Sequence, residues 1–303
     1  MSAEKKPPFI CWVLLMLLGL IWGGSFLGVS LALKSFSPIQ IAAGRIIIGA
    51  FVLSIIMVWF EGNIPAFRFA KRRIWFHSLG MAVFTNVLPF SLLSWAQTEV
   101  SSSFAGITMS MVPFVTLTLA HFLVSGEEIS YQKLVGLFVG FLGILILFDF
   151  FTFFQNWSSF DAFNFKLACC GAVFCYSLGS IITRRSPSES QLTFSASGLL
   201  AGSIIIIPIT LIADGLPELK NIKSILAIIY LGLLPTGLAT LILVNLIKGV
   251  GPTFLSLVNY LVPIWAIIFG VCFNSETLEV SFIIALIFIL LGLCVIQRSF
   301  PTY

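Results

Sequence analysis

Charge is scarce in this chain. Of its 303 residues only 9% are Asp, Glu, Lys or Arg, where soluble domains carry about 25%. A surface so poor in charge cannot face water, so a soluble globular fold is excluded. The twelve acidic residues and two histidines form no cluster with metal-ligand spacing, and neither GxSxG nor HExxH occurs. The six cysteines, Cys11, Cys169, Cys170, Cys175, Cys272 and Cys294, all lie in apolar runs and make no CxxC pair. Metal and redox chemistry are therefore unsupported and no cofactor is expected. No dense basic patch is interleaved with exposed aromatics, so the net charge of +4 calls for no nucleic-acid partner.

Apolar length is what the chain has. Hydrophobic residues make up 59% of it, and the mean hydropathy is +1.09. A helix needs about 20 apolar residues to cross a bilayer. By that measure ten spans are predicted, near 9–33, 39–60, 75–96, 101–124, 132–150, 164–183, 191–213, 224–247, 252–273 and 279–297. The first is too long for a signal-peptide core, and no small-residue cleavage site follows it. With the N-terminus inside, eleven Lys and Arg fall on the inner side, four on the outer side, and Arg45 lies within a span. That asymmetry predicts a multi-pass membrane protein with both termini in the cytoplasm.

The chain also repeats itself. At an offset of 150, "WAQTEVSSSFAGITMSMVP" falls on "NLIKGVGPTFLSLVNYLVP", so Val100, Phe104, Val112 and Pro113 match Val250, Phe254, Val262 and Pro263. With one gap Glu127 aligns with Glu276. Residues 1–150 and 164–298 then form two halves of five spans each. Five is odd, so the second half enters the membrane upside down, which is the inverted repeat of many secondary transporters. A mid-span proline removes a backbone hydrogen bond and kinks its helix. Pro113 and Pro263 are therefore expected hinges, freeing the carbonyls of Met109 and Asn259.

The early "WGGSF", the "SPIQIAAGRIIIGAFVL" that carries Arg45, and the "VPF…GEEIS…G…GFLGILIL" that closes the first half resemble the EamA family of the drug/metabolite transporter superfamily. The resemblance covers nearly the whole chain. It implies an all-α fold of ten transmembrane helices around a central cavity, and transport of small metabolites, often outward. No arginine stands opposite Arg45 in the second half, which leaves the substrate class open.

Several polar residues are candidates for the cavity. Arg45 lies roughly 9 Å from the outer end of its span. It either anchors a carboxylate or phosphate, holds backbone carbonyls, or snorkels to the headgroups. Gly106, Ser110 and Pro113 share one helix face, as do Ser256, Asn259 and Pro263 with Tyr260 beside them. Asn86 and Thr236 are equivalent by the repeat, and Asn245 stands opposite Trp95. Trp22 and Ser25 in the first span, with Tyr176 and Ser177 in the sixth, complete the substrate-binding set. Trp22 and Trp95 have a lipid-facing alternative. The glycine faces at Gly136, Gly140 and Gly143, and at Gly19 and Gly23, either pack helices within the bundle or join two copies.

No carboxylate sits at mid-span, which argues against a proton-driven pump and for facilitated export or exchange. The expected function is alternating-access export of small polar metabolites such as amino acids. A lipid or nucleotide-sugar translocator, or a membrane-embedded transferase, is the alternative. The expected partners are a small-molecule substrate and membrane lipid, with the protein a monomer or homodimer in a bacterial inner membrane.

Overall fold

The computed structural model describes residues 8–61, 72–123, 130–148, 160–186, 190–218, 221–250, 255 and 257–298. Among them there are ten successive helical segments and no strand. Helix α1 is Phe9–Ala32 and α2 is Pro38–Glu61. Helix α3 is α-helical in Arg72–Met81 and Leu88–Ala96, with a π-helical stretch, Ala82–Val87, between them. Helix α4 comprises Ser102–Thr108, a 3₁₀ turn at Met109–Met111, and Val112–Leu123. Then come α5 (Tyr131–Leu147), α6 (Phe160–Arg184) and α7 (Gln191–Ala213). Helix α8 joins Ile222–Leu231 to Ala239–Val250 through a second π stretch, Gly232–Leu238. Last are α9 (Val258–Asn274) and α10 (Val280–Arg298).

Seven of these helices are long and apolar enough to cross a membrane, and the remaining three are shorter apolar helices. Their outer faces are bare hydrocarbon: Trp59, Phe60 and Phe76 are 85%, 81% and 75% exposed. In water such surface would drive aggregation, whereas lipid solvates it. The core therefore cannot be held by hydrophobicity alone; close packing and polar contacts between helices must do it.

The helix contacts have an exchange symmetry. Helix α1 packs on α9 as α6 packs on α4; α1 on α8 as α6 on α3; α2 on α8 as α7 on α3. Three pairs map onto themselves: α2 with α7, α4 with α9, and α5 with α10. Each of these runs antiparallel. At one end of the α2–α7 pair Ser37 donates to Asp214, and at the other Ser190 and Thr193 donate to Glu61. The two serines precede their helices and are 153 residues apart, as are the two carboxylates that end them. The two clasps thus match in residue chemistry at one sequence offset and close opposite ends of the pair.

The α5–α10 pair shows why glycine recurs there. A Cβ on Gly292 would lie 2.6 Å from the Gly136 carbonyl oxygen and 2.7 Å from the Gly140 nitrogen, and one on Gly143 would lie 2.8 Å from the Ala285 oxygen. These glycines let the two backbones touch, so the glycine face of α5 packs within the bundle. Gly23 does the same for α1, where a Cβ would stand 3.0 Å from the Val262 carbonyl.

Two of the helix distortions fall where no proline of the matched pair stands. The π stretches of α3 and α8 begin 150 residues apart, at Ala82 and Gly232. In each, a polar side chain five residues on reaches back to the carbonyl at which the wider turn begins. Asn86 Nδ2 lies 3.4 Å from the Met81 oxygen, and Thr236 Oγ1 lies 2.9 Å from the Leu231 oxygen. Pro113 behaves differently. The carbonyl of Met109 that it frees accepts from the Val112 N–H, because the chain tightens into a 3₁₀ turn. Pro263 lies inside the regular helix α9.

Candidate functional site

The most polar point within the bundle is Arg45, the eighth residue of α2. It is 5% exposed, so it does not snorkel to the headgroups. Its Nε donates to Thr236 Oγ1 at 3.3 Å. Its guanidinium carbon lies over the Phe90 ring, 3.6 Å from the centroid, a cation–π contact that partly replaces lost hydration. Phe90 in turn meets the edge of Tyr176, at 6.5 Å between centroids. Helices α2, α3, α6 and α8 thus contribute one side chain each.

The π stretch of α8 positions the acceptor. Its wider turn places Thr236 against Gly49 of α2, where a Cβ would come within 2.7 Å of Thr236 Cγ2. One residue earlier, the carbonyl of Pro235 receives Trp22 Nε1 from α1 at 3.3 Å. Tyr230 of α8 donates to the Ile21 carbonyl at 3.2 Å. Arg45, Thr236, Tyr176 and Trp22 were all expected in the site, and the structure brings them together. A guanidinium carries five N–H donors. Among the described residues its one hydrogen-bond acceptor is Thr236, and no carboxylate pairs with it. A buried cation left this incompletely satisfied is costly, and it has donors to spare for an acceptor.

Other expected residues lie elsewhere or are already engaged. Asn86 is buried and holds its own π turn. Ser177 is fully buried; it bonds the Val173 carbonyl at 2.9 Å and reaches the Val112 carbonyl, beside Pro113, at 3.2 Å. It joins α6 to α4. Ser25 is buried in α1, and Ser110 is buried in the 3₁₀ turn with its hydroxyl unpaired. Asn259 is half-buried on α9, and Tyr260 packs against the main core. Trp95 is not part of the group: it is 42% exposed and lies against Phe165, 4.7 Å between centroids, which suits its lipid-facing alternative. Asn245, Ser256 and Glu127 fall outside the residues whose side chains are described. Phe90 and Tyr230 were missed, because a single aromatic in an apolar run carries no signal of what it faces.

Ten apolar helices, seven of them long enough to cross a membrane, define an integral, multi-pass membrane protein of the all-α class. The family model described as the EamA-like transporter family matches residues 9–149 and again 166–298. The chain belongs to that family and is a transporter. It is 22% identical to the protein PecM of Dickeya dadantii over 91% of this chain and 89% of that one. It is 23% identical to the uncharacterized inner membrane transporter YedA of Escherichia coli (strain K12), over 88% and 83%. A solved crystal structure with 17% identity superposes at a TM-score of 0.68, covering 97% of this chain and 99% of that one, and shares the fold.

Proposed function

We propose that the chain exports small carboxylate-bearing metabolites, amino acids foremost, across a bacterial inner membrane by alternating access. One observation carries the reading: Arg45 is buried at the helix crossing with Thr236 as its acceptor and Phe90 as its bed, and without a carboxylate among the described residues. A substrate carboxylate supplies the missing charge, and the guanidinium fork matches its geometry. Phe90, Tyr176 and Trp22 provide an apolar and amphipathic wall for the rest of a small molecule. Asn259 and Ser110, on the faces of α9 and α4 that carry the prolines, are further contacts.

In this reading residues 1–150 and 164–298 are duplicated halves inserted in opposite orientations, with both termini in the cytoplasm. Opening on one side is then the mirror of opening on the other, and the site is offered to each in turn. The symmetric helix contacts and the double family match support this.

The test compares cells that produce the wild type with cells that produce Arg45→Met, measuring metabolites inside and outside separately. Methionine keeps most of the volume and removes a costly buried charge, so insertion and thermal stability should hold or improve. The expected result is that a carboxylated metabolite moves outward only with the wild type. Movement of a phosphorylated sugar nucleotide or a lipid would replace the reading with the translocator alternative. A new chemical species would point to a transferase.

A further inference from the structure

At one end of the bundle a single carboxylate ties α9 to α4. Glu276 follows the last turn of α9, and its Oε1 accepts from the Ser102 N–H at 2.8 Å, the Ser102 hydroxyl at 2.6 Å and Asn274 Nδ2 at 3.1 Å. Its Oε2 accepts from the Ser103 N–H at 3.0 Å and the Ser103 hydroxyl at 2.6 Å. Local structure aims it there. Helix α9 ends on Ser275 in the left-handed region, φ 53°, which is uncommon for a residue other than glycine. The Glu276 N–H then bonds back to the Gly270 carbonyl at 3.1 Å, turning the side chain onto α4. Gly270 leaves the room: a Cβ there would lie 2.4 Å from Glu276 Oε2 and 2.6 Å from Ser103 Oγ.

The α4–α9 pair is one of the three that map onto themselves, and the side-chain hydrogen bonds that join this end of it run to Glu276, so it is a place where the pair can part. Ser101 already caps α4 internally, accepting from the Phe104 N–H at 3.1 Å. Glu276 takes the Ser102 and Ser103 N–H groups that Ser101 leaves over, so it caps the first turn of α4 from another helix and ties the two together. Beside it lies an open polar hollow of about 360 Å³, lined among others by Ser30, Lys34, Gln97 and Asn274. We propose that Glu276 is the latch of a gate: its ionised carboxylate holds α9 against the start of α4 on this side and must let go of Ser102 and Ser103 each time the protein opens here. The inference rests on the alternating-access reading.

Partial burial pushes the Glu276 pKa up, but the hydrogen bonds from Ser102, Ser103 and Asn274 outweigh it and hold the group below its usual range. A depressed pKa in the latched form means the latch is at full strength above the ordinary glutamate value, about 4.3, and weakens as pH falls through it. The charged neighbours are Lys34, in the turn after α1 and lining the hollow, Lys166 of α6 over the Phe104 ring, Glu99 beyond α3, and Glu279 before α10, which accepts from Ser281.

The test places spin labels in the full chain with its native cysteines replaced. One pair, Thr98→Cys with Phe273→Cys, reads the Glu276 face. A second, Phe122→Cys with Leu257→Cys, reads the opposite ends of the same helices. Distances are measured by double electron–electron resonance in lipid. In Glu276→Gln at pH 7 the open-to-closed ratio of the first pair should rise about tenfold while the second pair closes. Lowering the pH of the parent below about 4 should move its ratio the same way and leave the variant unchanged. Should Glu276→Gln fail to insert, Ser102→Ala with Ser103→Ala, which keeps the charge and removes two donors, should open the first pair to a smaller extent. Unaltered distances in the inserted variants overturn the latch while the parent still exchanges. A parent whose two pairs never change in opposite senses overturns alternating access itself.

Discussion

The contact between Arg45 and Thr236 lends itself to a double-mutant cycle. Thr236→Val replaces the hydroxyl by a methyl of nearly the same size, so the packing against Gly49 persists. Two hydrogen bonds go: the one from Arg45 Nε at 3.3 Å and the one to the Leu231 carbonyl at 2.9 Å. A bond to a charged group is worth about 1.5–3 kcal/mol, and a neutral one about 0.5–1.5 kcal/mol. In the wild-type background both are lost. In an Arg45→Met background only the neutral one remains to lose. The difference between the two, the coupling, should be about 1.5 kcal/mol, well above the roughly 0.5 kcal/mol expected of independent sites. At about 2–4 °C per kcal/mol this is roughly a 3–6 °C larger fall in melting temperature. The assay heats each purified variant in detergent and scores the fraction that stays monodisperse on size exclusion. Thr236→Ser, which keeps the hydroxyl, should recover most of the loss. Equal shifts in the two backgrounds would show that the threonine does not hold the arginine, and the site as drawn would fall.

The α5–α10 contact predicts a contrast between glycines. Gly292→Ala, whose new Cβ would meet three backbone atoms of α5 within 2.9 Å, should cost about 1–3 kcal/mol, whereas Gly171→Ala, whose nearest neighbour is a Leu92 methyl at 3.3 Å, should be nearly silent in the same heating assay. Topology reporters fused at Glu127 and at Glu276 should report opposite sides of the membrane; a same-side result would remove the inverted repeat.

Most of the architecture was legible because it depends on length and apolarity alone. Each of the ten predicted spans has a helix, and Phe160–Arg184 and Ile222–Val250 overrun their predictions by only a few residues. The repeat at 150 residues also located the π stretches without recognising them. Asn86 and Thr236 were read as a matched polar pair, but not as side chains that reach back to the carbonyls of Met81 and Leu231 at the start of each π stretch. A π turn leaves no mark in composition, since it is chosen by what the helix packs against. The same holds for Met109, whose freed carbonyl is satisfied by a tighter turn in its own chain rather than by a neighbour or a cavity. Glu276 was visible as the counterpart of Glu127, yet its acceptor role depends on serines more than 170 residues away, which no local pattern announces.

The clasps at both ends of the α2–α7 pair bear on how this protein behaves in an energised membrane. In the alternating-access reading, a helix pinned at each end, Ser37 to Asp214 and Ser190 to Glu61, serves as a strut about which other helices rock. Arg45 belongs to that strut. Its charge therefore keeps its depth while the gates change places. A unit charge carried through the full field is worth about 2.3 kcal/mol per 100 mV, but a charge that does not move exchanges no work with the voltage. The conformational cycle of the empty protein is then electrically silent, and any dependence of transport on membrane potential must come from the charge of the solute itself.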